Sequence, residues 1–217
     1  MTGTKLKHLY ELLFERFGHR NWWPAQTPFE VCVGAILTQN TSWKNVEKAI
    51  NNLKETDCLD AFRLYETPLD ELAVIIRPAG YFNVKSKRLK NFVNRLVEHH
   101  EGSLDKMFEA SVEDLRTALL SINGVGRETA DSMILYAANK PIFVVDVYTR
   151  RALERHGMIV EKADYDEIRE LFERNLEPDV ALFNDFHAQF VAVGSTYCGR
   201  RPKCSGCPLD GFEKADQ

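Results

Sequence analysis

Gly124, Val125 and Gly126, followed 20 positions after Gly126 by the acidic residue Asp146 in the apolar run IFVVDV, are residues whose types and spacing could do chemistry. Two glycines in one tight turn let backbone approach a ligand closely, and the N–H groups opening a helix at Arg127 can hold an anion such as a phosphate. A turn of this kind between two helices is a helix-hairpin-helix candidate, although the same residues would also suit a hairpin that only turns a corner. Asp146 stands just before VYTRRALERHG, an amphipathic pattern, so its carboxylate can cap that helix or point across the turn into a cleft. A second group is Cys198, Cys204 and Cys207, near the C-terminal end. With five cysteines in the chain, an odd number, they fit a metal or cluster site in a reducing compartment better than a disulfide framework.

The elements that must position these residues read as helices. In TPFEVCVGAIL, Thr27 is a predicted N-cap, Pro28 the first helical residue and Glu30 the reciprocal capping-box partner. TPLDELAVIIRP repeats that opening at Thr67, Pro68 and Asp70, with the helix over by Pro78. Leu89, Phe92, Val93, Leu96 and Val97 fall on one helical face that Gly102 would end. Helix, turn and helix are predicted across VEDLRTALLSINGVGRETADSMILYA, with Leu115, Leu119 and Ile134 packing the two arms together. Cys32 and Cys58 also fall in predicted helices. The best strand candidate, PIFVVDV, is short and has no partner of its kind, so the expected fold class is all-α.

At 217 residues and 44% hydrophobic, the chain can bury a proper core in one or two domains. No apolar run approaches the length of a membrane span and MTGTKLKHLYELL lacks a signal-peptide core, so a cytoplasmic protein is expected. The net charge of −4 argues against indiscriminate binding to polyanions and confines any nucleic-acid site to a local patch.

The G-V-G hairpin, the spacer and IFVVD together resemble the helix-hairpin-helix DNA glycosylases of the endonuclease III superfamily. The resemblance covers most of the chain, and NWWPAQTPFE, LTQNTSW, RPAGYFN, GRETADS and VVDVY look closest to the bacterial 3-methyladenine DNA glycosylase III branch. It implies two helical domains flanking a DNA-binding cleft: residues 30–139 ending in the hairpin, and residues 1–29 with 140–217, which carry the Cys-rich loop. It also implies a bacterial or archaeal monomer, nucleoid-associated when bound, whose partner is double-stranded DNA containing a damaged base.

Residue by residue, the resemblance makes Asp146 the catalytic carboxylate, beneath the sugar of a flipped nucleotide. An oxocarbenium-like transition state is stabilised by such a negative charge. Gln39 would fill the vacated space and Tyr81 would wedge into the duplex, while Asn83, Lys85, Lys87 and Arg88 could meet the nearby backbone and Lys90 would lie on a solvated face. Gly124, Val125, Gly126 and Arg127 would grip phosphate. The indoles of Trp22, Trp23 and Trp43, with Glu128, are candidates for the base pocket, where stacked rings favour a cationic base. An alkylated purine already carries charge and leaves readily, so one carboxylate suffices. Glu128 also occupies the place of the lysine that lets bifunctional members cut the strand, and a glutamate forms no Schiff base. The expected activity is therefore a monofunctional glycosylase for alkylated purines such as 3-methyladenine. An oxidised pyrimidine or mismatched thymine or uracil as the lesion, or a non-catalytic DNA-binding module, are the alternatives.

YCGRRPKCSGCPLDGFEKADQ resembles the family's iron–sulfur loop but departs from it twice. Cys198 and Cys204 are one residue closer than usual, and Glu213 stands at the fourth cysteine's place. The loop could hold a [4Fe–4S] cluster or zinc with a non-cysteine ligand such as Asp210, or be a relic held by packing; none of these is required for catalysis.

Overall fold

The computed structural model describes residues 2–20 and 22–212; Asn21 and Glu213 lie outside the described residues. Among these the protein is all-α. In chain order the helices are α1 (Thr2–Phe17), α2 (Pro28–Leu37), α3 (Trp43–Glu55), α4 (Ala61–Glu66), α5 (Leu69–Ile75), α6 (Phe82–His100), α7 (Leu104–Phe108), α8 (Val112–Leu120), α9 (Arg127–Ser132), α10 (Val147–Arg155), α11 (Tyr165–Glu173) and α12 (Val180–Thr196). A 3₁₀ turn, Arg77–Ala79, precedes α6, and α9 runs on into a π-helical turn, Met133–Ala137. No described helix is long and apolar enough to cross a membrane. The chain divides into two compact units, residues 25–140 and residues 1–24 with 141–217.

The 25–140 unit is built around α2. Its sequence is apolar on every side, and every residue from Glu30 to Leu37 is buried, as a helix without a polar face requires. Thr27 caps it, accepting from the Glu30 N–H at 3.1 Å, while the Glu30 carboxylate reaches back to the N–H of Gln26 and takes the Lys54 ammonium at 2.9 Å. The second expected cap fails. Thr67 donates its hydroxyl to Arg63 O at 2.7 Å and so closes α4, and α5 starts after Pro68 with no side-chain cap. Pro68 supplies no N–H and its predecessor is pushed out of the helical region, so Thr67 finds its partner behind it. α6 ends as expected, with Gly102 at φ +72° and its N–H returned to Leu96 O. Cys32 lies within α2, but Cys58 sits in the turn after α3. Burial pushes the Cys32 thiol far up.

In the other unit PIFVVDV is extended, with Ile142, Phe143, Val144 and Val145 all buried, and it pairs with no strand among the described residues. Its core is aromatic: Phe143 stacks on Phe172 at 3.6 Å and meets Phe183 and Phe186 edge-on, and Leu6, Leu9 and Leu13 of α1 add the aliphatic side. Such pairs contribute about 0.5–1.5 kcal/mol each beyond area burial. The buried run is therefore a core segment that delivers Asp146 to the start of α10.

Candidate active site and nucleic-acid interface

The hairpin forms as predicted from its own residues. Leu115, Leu119, Val125 and Ile134 are buried between its arms. Gly124 takes φ +100°, a backbone conformation that side chains rarely adopt. A pair 15 residues apart locks the arms: Arg116 of α8 donates to both carboxylate oxygens of the fully buried Asp131 in α9, at 2.7 and 3.3 Å. The exposed turn presents Gly126, Arg127 and Glu128 at the start of α9.

Two other segments of the same unit, the turn after α2 and α6, converge on this turn. Gln39 donates through Nε2 to Gly124 O at 3.1 Å and to Thr129 Oγ1 at 2.9 Å, and its Oε1 accepts from Arg88. The stem of Arg88 lies against the bare α-carbon of Gly124, and Asn91 donates to Asn123 O at 2.9 Å. The amide predicted to plug a gap in DNA is thus already oriented by the hairpin that is predicted to hold phosphate.

Tyr81 enters α6 in a left-handed conformation at φ +47° and is 70% exposed, an aromatic ring held in solvent. Asn83 and Lys87 are exposed beside it. Lys85 is a correction: it is 1% exposed, and its ammonium donates to Leu37 O and Ala79 O, each at 2.8 Å. Burial, with Arg88 nearby, pushes its pKa down to about 8. It cannot reach a phosphate; it ties the end of α2, just before Gln39, to the turn just before Tyr81. Lys90, expected on a solvated face, instead donates to Leu64 O and Tyr65 O at the end of α4, where a cation offsets the helix dipole. Trp43 is half-buried at the start of α3.

The glycines separate two functions of the turn. A Cβ on Gly124 would lie 2.3 Å from Arg88 Cγ, whereas one on Gly126, at φ −93°, meets nothing within 4 Å. Gly124→Ala is expected to lose about 1–2 kcal/mol from the backbone conformation alone. Gly126→Ala should stay within about 0.5 kcal/mol of the parent and lose DNA affinity only. Calorimetric melting beside fluorescence-polarisation binding distinguishes them, and equal melting temperatures for the two variants would contradict this division.

In the other unit Asp146 is the N-cap of α10, with Oδ1 accepting the Thr149 N–H at 2.7 Å. Its side chain is 10% exposed, and His187 of α12, not singled out in the sequence, brings Nε2 to 3.6 Å from Oδ2. Burial alone would push the carboxyl up, but His187 and then Thr149 more than offset it and hold its pKa below the ordinary value. Asp146 therefore caps α10 while keeping an ionised, largely buried carboxylate. The close approach of α10 and α12 depends on Gly194, where a Cβ would stand 2.3 Å from Tyr148. Trp22 and Trp23 are half-buried in the segment after α1, rings edge-to-face at 5.9 Å.

The Cys-rich loop follows α12. Arg155 donates to Cys198 Sγ at 3.0 Å and to the carbonyls of Gly199 and Arg200, and Arg151 donates to Cys198 O. Cys204 is exposed and Cys207 half-buried, its thiol pushed up by burial. Among the described residues no three acidic, histidine or cysteine side chains gather into a possible metal site. The loop supplies three thiols, Cys198, Cys204 and Cys207, where a [4Fe–4S] cluster ordinarily takes four. Arg200, Arg201 and Lys203 are exposed along the loop.

Comparison with known proteins agrees with this geometry. A family model described as HhH-GPD superfamily base excision DNA repair protein matches residues 33–178. A protein of Methanocaldococcus jannaschii, provisionally named a DNA repair glycosylase, is 50% identical over 94% of this chain and 93% of its own. The crystal structure of H. pylori 3-methyladenine DNA glycosylase bound to 1,N6-ethenoadenine superposes with TM-score 0.76 and 29% identity, over 89% of this chain and 97% of that one. A non-covalent endonuclease III–DNA complex superposes with TM-score 0.83 and 20% identity, over 98% of this chain and 95% of the other, and so shares the fold.

Proposed function

The chain belongs to the HhH-GPD superfamily of base excision DNA repair proteins and is a DNA glycosylase of that superfamily, and from this premise we propose that it hydrolyses the N-glycosidic bond of alkylated purines such as 3-methyladenine. The observation that carries the reading is the environment of Asp146. The groups against its carboxylate are His187 and Thr149, neither of them a second carboxyl that could protonate a neutral leaving base. A cationic alkylated base needs no such acid, because its departure already neutralises it. The carboxylate then has one task, to oppose the positive charge that grows on the sugar.

The steps before bond cleavage fall mainly to residues 25–140. Extruding a base costs a few kcal/mol of pairing and stacking. The exposed ring of Tyr81 replaces part of the stacking, and Gln39, held in place by the hairpin and Arg88, fills the vacated space. The N–H groups at the start of α9, with Arg127 and Lys87, hold phosphate. Trp22, Trp23 and Trp43 are the aromatic candidates for stacking on a cationic base, and Glu128 for contact with it. The similarity to the H. pylori 3-methyladenine DNA glycosylase supports the same substrate class.

Strand cleavage is not expected. Glu128 stands exposed in the first turn of α9 where a lyase would need an amine, and the nearest other amine, Lys140, follows the π turn at the end of that segment. The proposed form is a cytoplasmic monomer acting on duplex DNA, with no cofactor in the bond-breaking step.

The test is chromatography of bases freed from duplex DNA treated with a methylating agent. Release of 3-methyladenine, with strands that break only after alkali, is the expected result. Release of thymine or uracil from mismatched duplexes, with none from methylated DNA, would replace the alkylpurine reading by a mismatch activity.

A further inference from the structure

Asp146 has two carboxylate oxygens, and its role as a helix cap uses one. Oδ1 takes the Thr149 N–H. Oδ2 faces His187, a 5% exposed imidazole on α12 between Phe186 and Ala188. Burying a polar ring is costly and favours a position beside a polar group, and the carboxylate of Asp146 is such a group. The geometry points to His187 as a positioning residue whose Nε2–H tethers Oδ2 of Asp146 and fixes the carboxylate against the sugar of an extruded nucleotide. This rests on the glycosylase reading above.

A single hydrogen bond at Oδ1 leaves the carboxylate free to turn about its Cβ–Cγ bond. A second donor at Oδ2 removes that freedom. The present 3.6 Å is just beyond a direct hydrogen bond, and catalytic contacts in a free enzyme are often long and tighten when substrate arrives. α12 holds the ring in register: Asp185, one half-turn earlier, accepts from Tyr10, the Arg20 N–H and Gln189, and Gly194 lets Tyr148 of α10 close on the same helix.

Single-turnover base release and DNA affinity, measured on the full chain for wild type, Asp146→Asn, His187→Phe and His187→Gln, test the tether. His187→Phe keeps the ring and removes the N–H; its release rate is expected to fall on the order of 10²-fold, the cost of a misplaced catalytic group. DNA affinity should stay within about twofold, since ground-state binding does not use the tether. His187→Gln restores an N–H donor and should recover a substantial part of the rate. A rate for His187→Phe within about threefold of wild type would overturn the proposal. So would equal losses of rate, affinity and melting temperature in both His187 variants, which is the signature of packing alone. The imidazole nitrogen signals of His187 should also shift between wild type and Asp146→Asn, and unchanged signals would deny the contact. Absence of base release by wild type would instead sink the glycosylase reading, and those nitrogen signals would then decide the contact by themselves.

Discussion

Asp146→Asn is expected to slow base release by on the order of 10³-fold, about 4 kcal/mol of transition-state stabilisation, with fold and DNA affinity retained. The separation follows from the two jobs of the side chain. As N-cap it accepts the Thr149 N–H through Oδ1, and asparagine keeps an oxygen there and caps as well as aspartate. As a charge it opposes the sugar cation, and an amide has none to offer. Polarisation binding should therefore match wild type, and melting should fall only by what the ionised carboxylate gains from His187 and Thr149, while chromatography shows the rate lost. An Asp146→Asn protein that releases bases at the wild-type rate would reduce Asp146 to a cap.

The same environment gives this site a pH signature. His187 and Thr149 hold the Asp146 pKa below its ordinary value, so the carboxylate stays ionised, and its part of the rate persists, at pH values where an exposed aspartate would already be half protonated. Stability is linked in the same direction. With the folded pKa depressed, the contribution of Asp146 is fully present above the unfolded value near 3.9 and is lost as pH falls through the lower folded value.

The hairpin was legible because local rules coincide there. Gly124 supplies a positive φ, and Leu115, Leu119 and Ile134 repeat at helical spacing on both sides of it. Thr27 with Pro28 announced α2 for the same reason, but the identical pattern at Thr67 misled, since α4 ended directly before it and offered its own carbonyl. The resemblance of its segment to the family's wedge makes Lys85 a DNA contact. Yet it stands four and seven positions before Leu89 and Phe92, on the face that faces the core, and that period was the better guide. His187 could not be found by periodicity, because α12 is buried nearly all round from Phe183 to Phe190 and marks no single face. Its signal was a polar ring inside an apolar run; its partner, Asp146, lay on another helix. The Arg116–Asp131 pair was equally hidden, since which charges meet is decided only once the turn has folded back.

That pair gives the largest expected effect on stability. Asp131→Asn should destabilise the protein by about 3 kcal/mol, because it removes the buried negative charge that the Arg116 guanidinium, 16% exposed, grips with two donors. In a domain of this size the loss corresponds to a melting temperature lower by roughly 6–12 °C. The pair itself need not be a net stabiliser: two charges taken from water give up hydration that their attraction repays only in good geometry, here the two-pronged contact at 2.7 and 3.3 Å. Its contribution is to fix α8 against α9, so the turn offers Gly126 and Arg127 at one angle. Arg116→Met combined with Asp131→Asn should then be more stable than the two single losses added together, since the two side chains share one contact that either single change already breaks. The double variant should still bind DNA less well than wild type, because the arms are held by packing alone. Strict additivity in the melting data would show that the two side chains do not act as a unit, and unaltered DNA affinity in the double variant would show that the hairpin angle is set by Leu115, Leu119 and Ile134 without them.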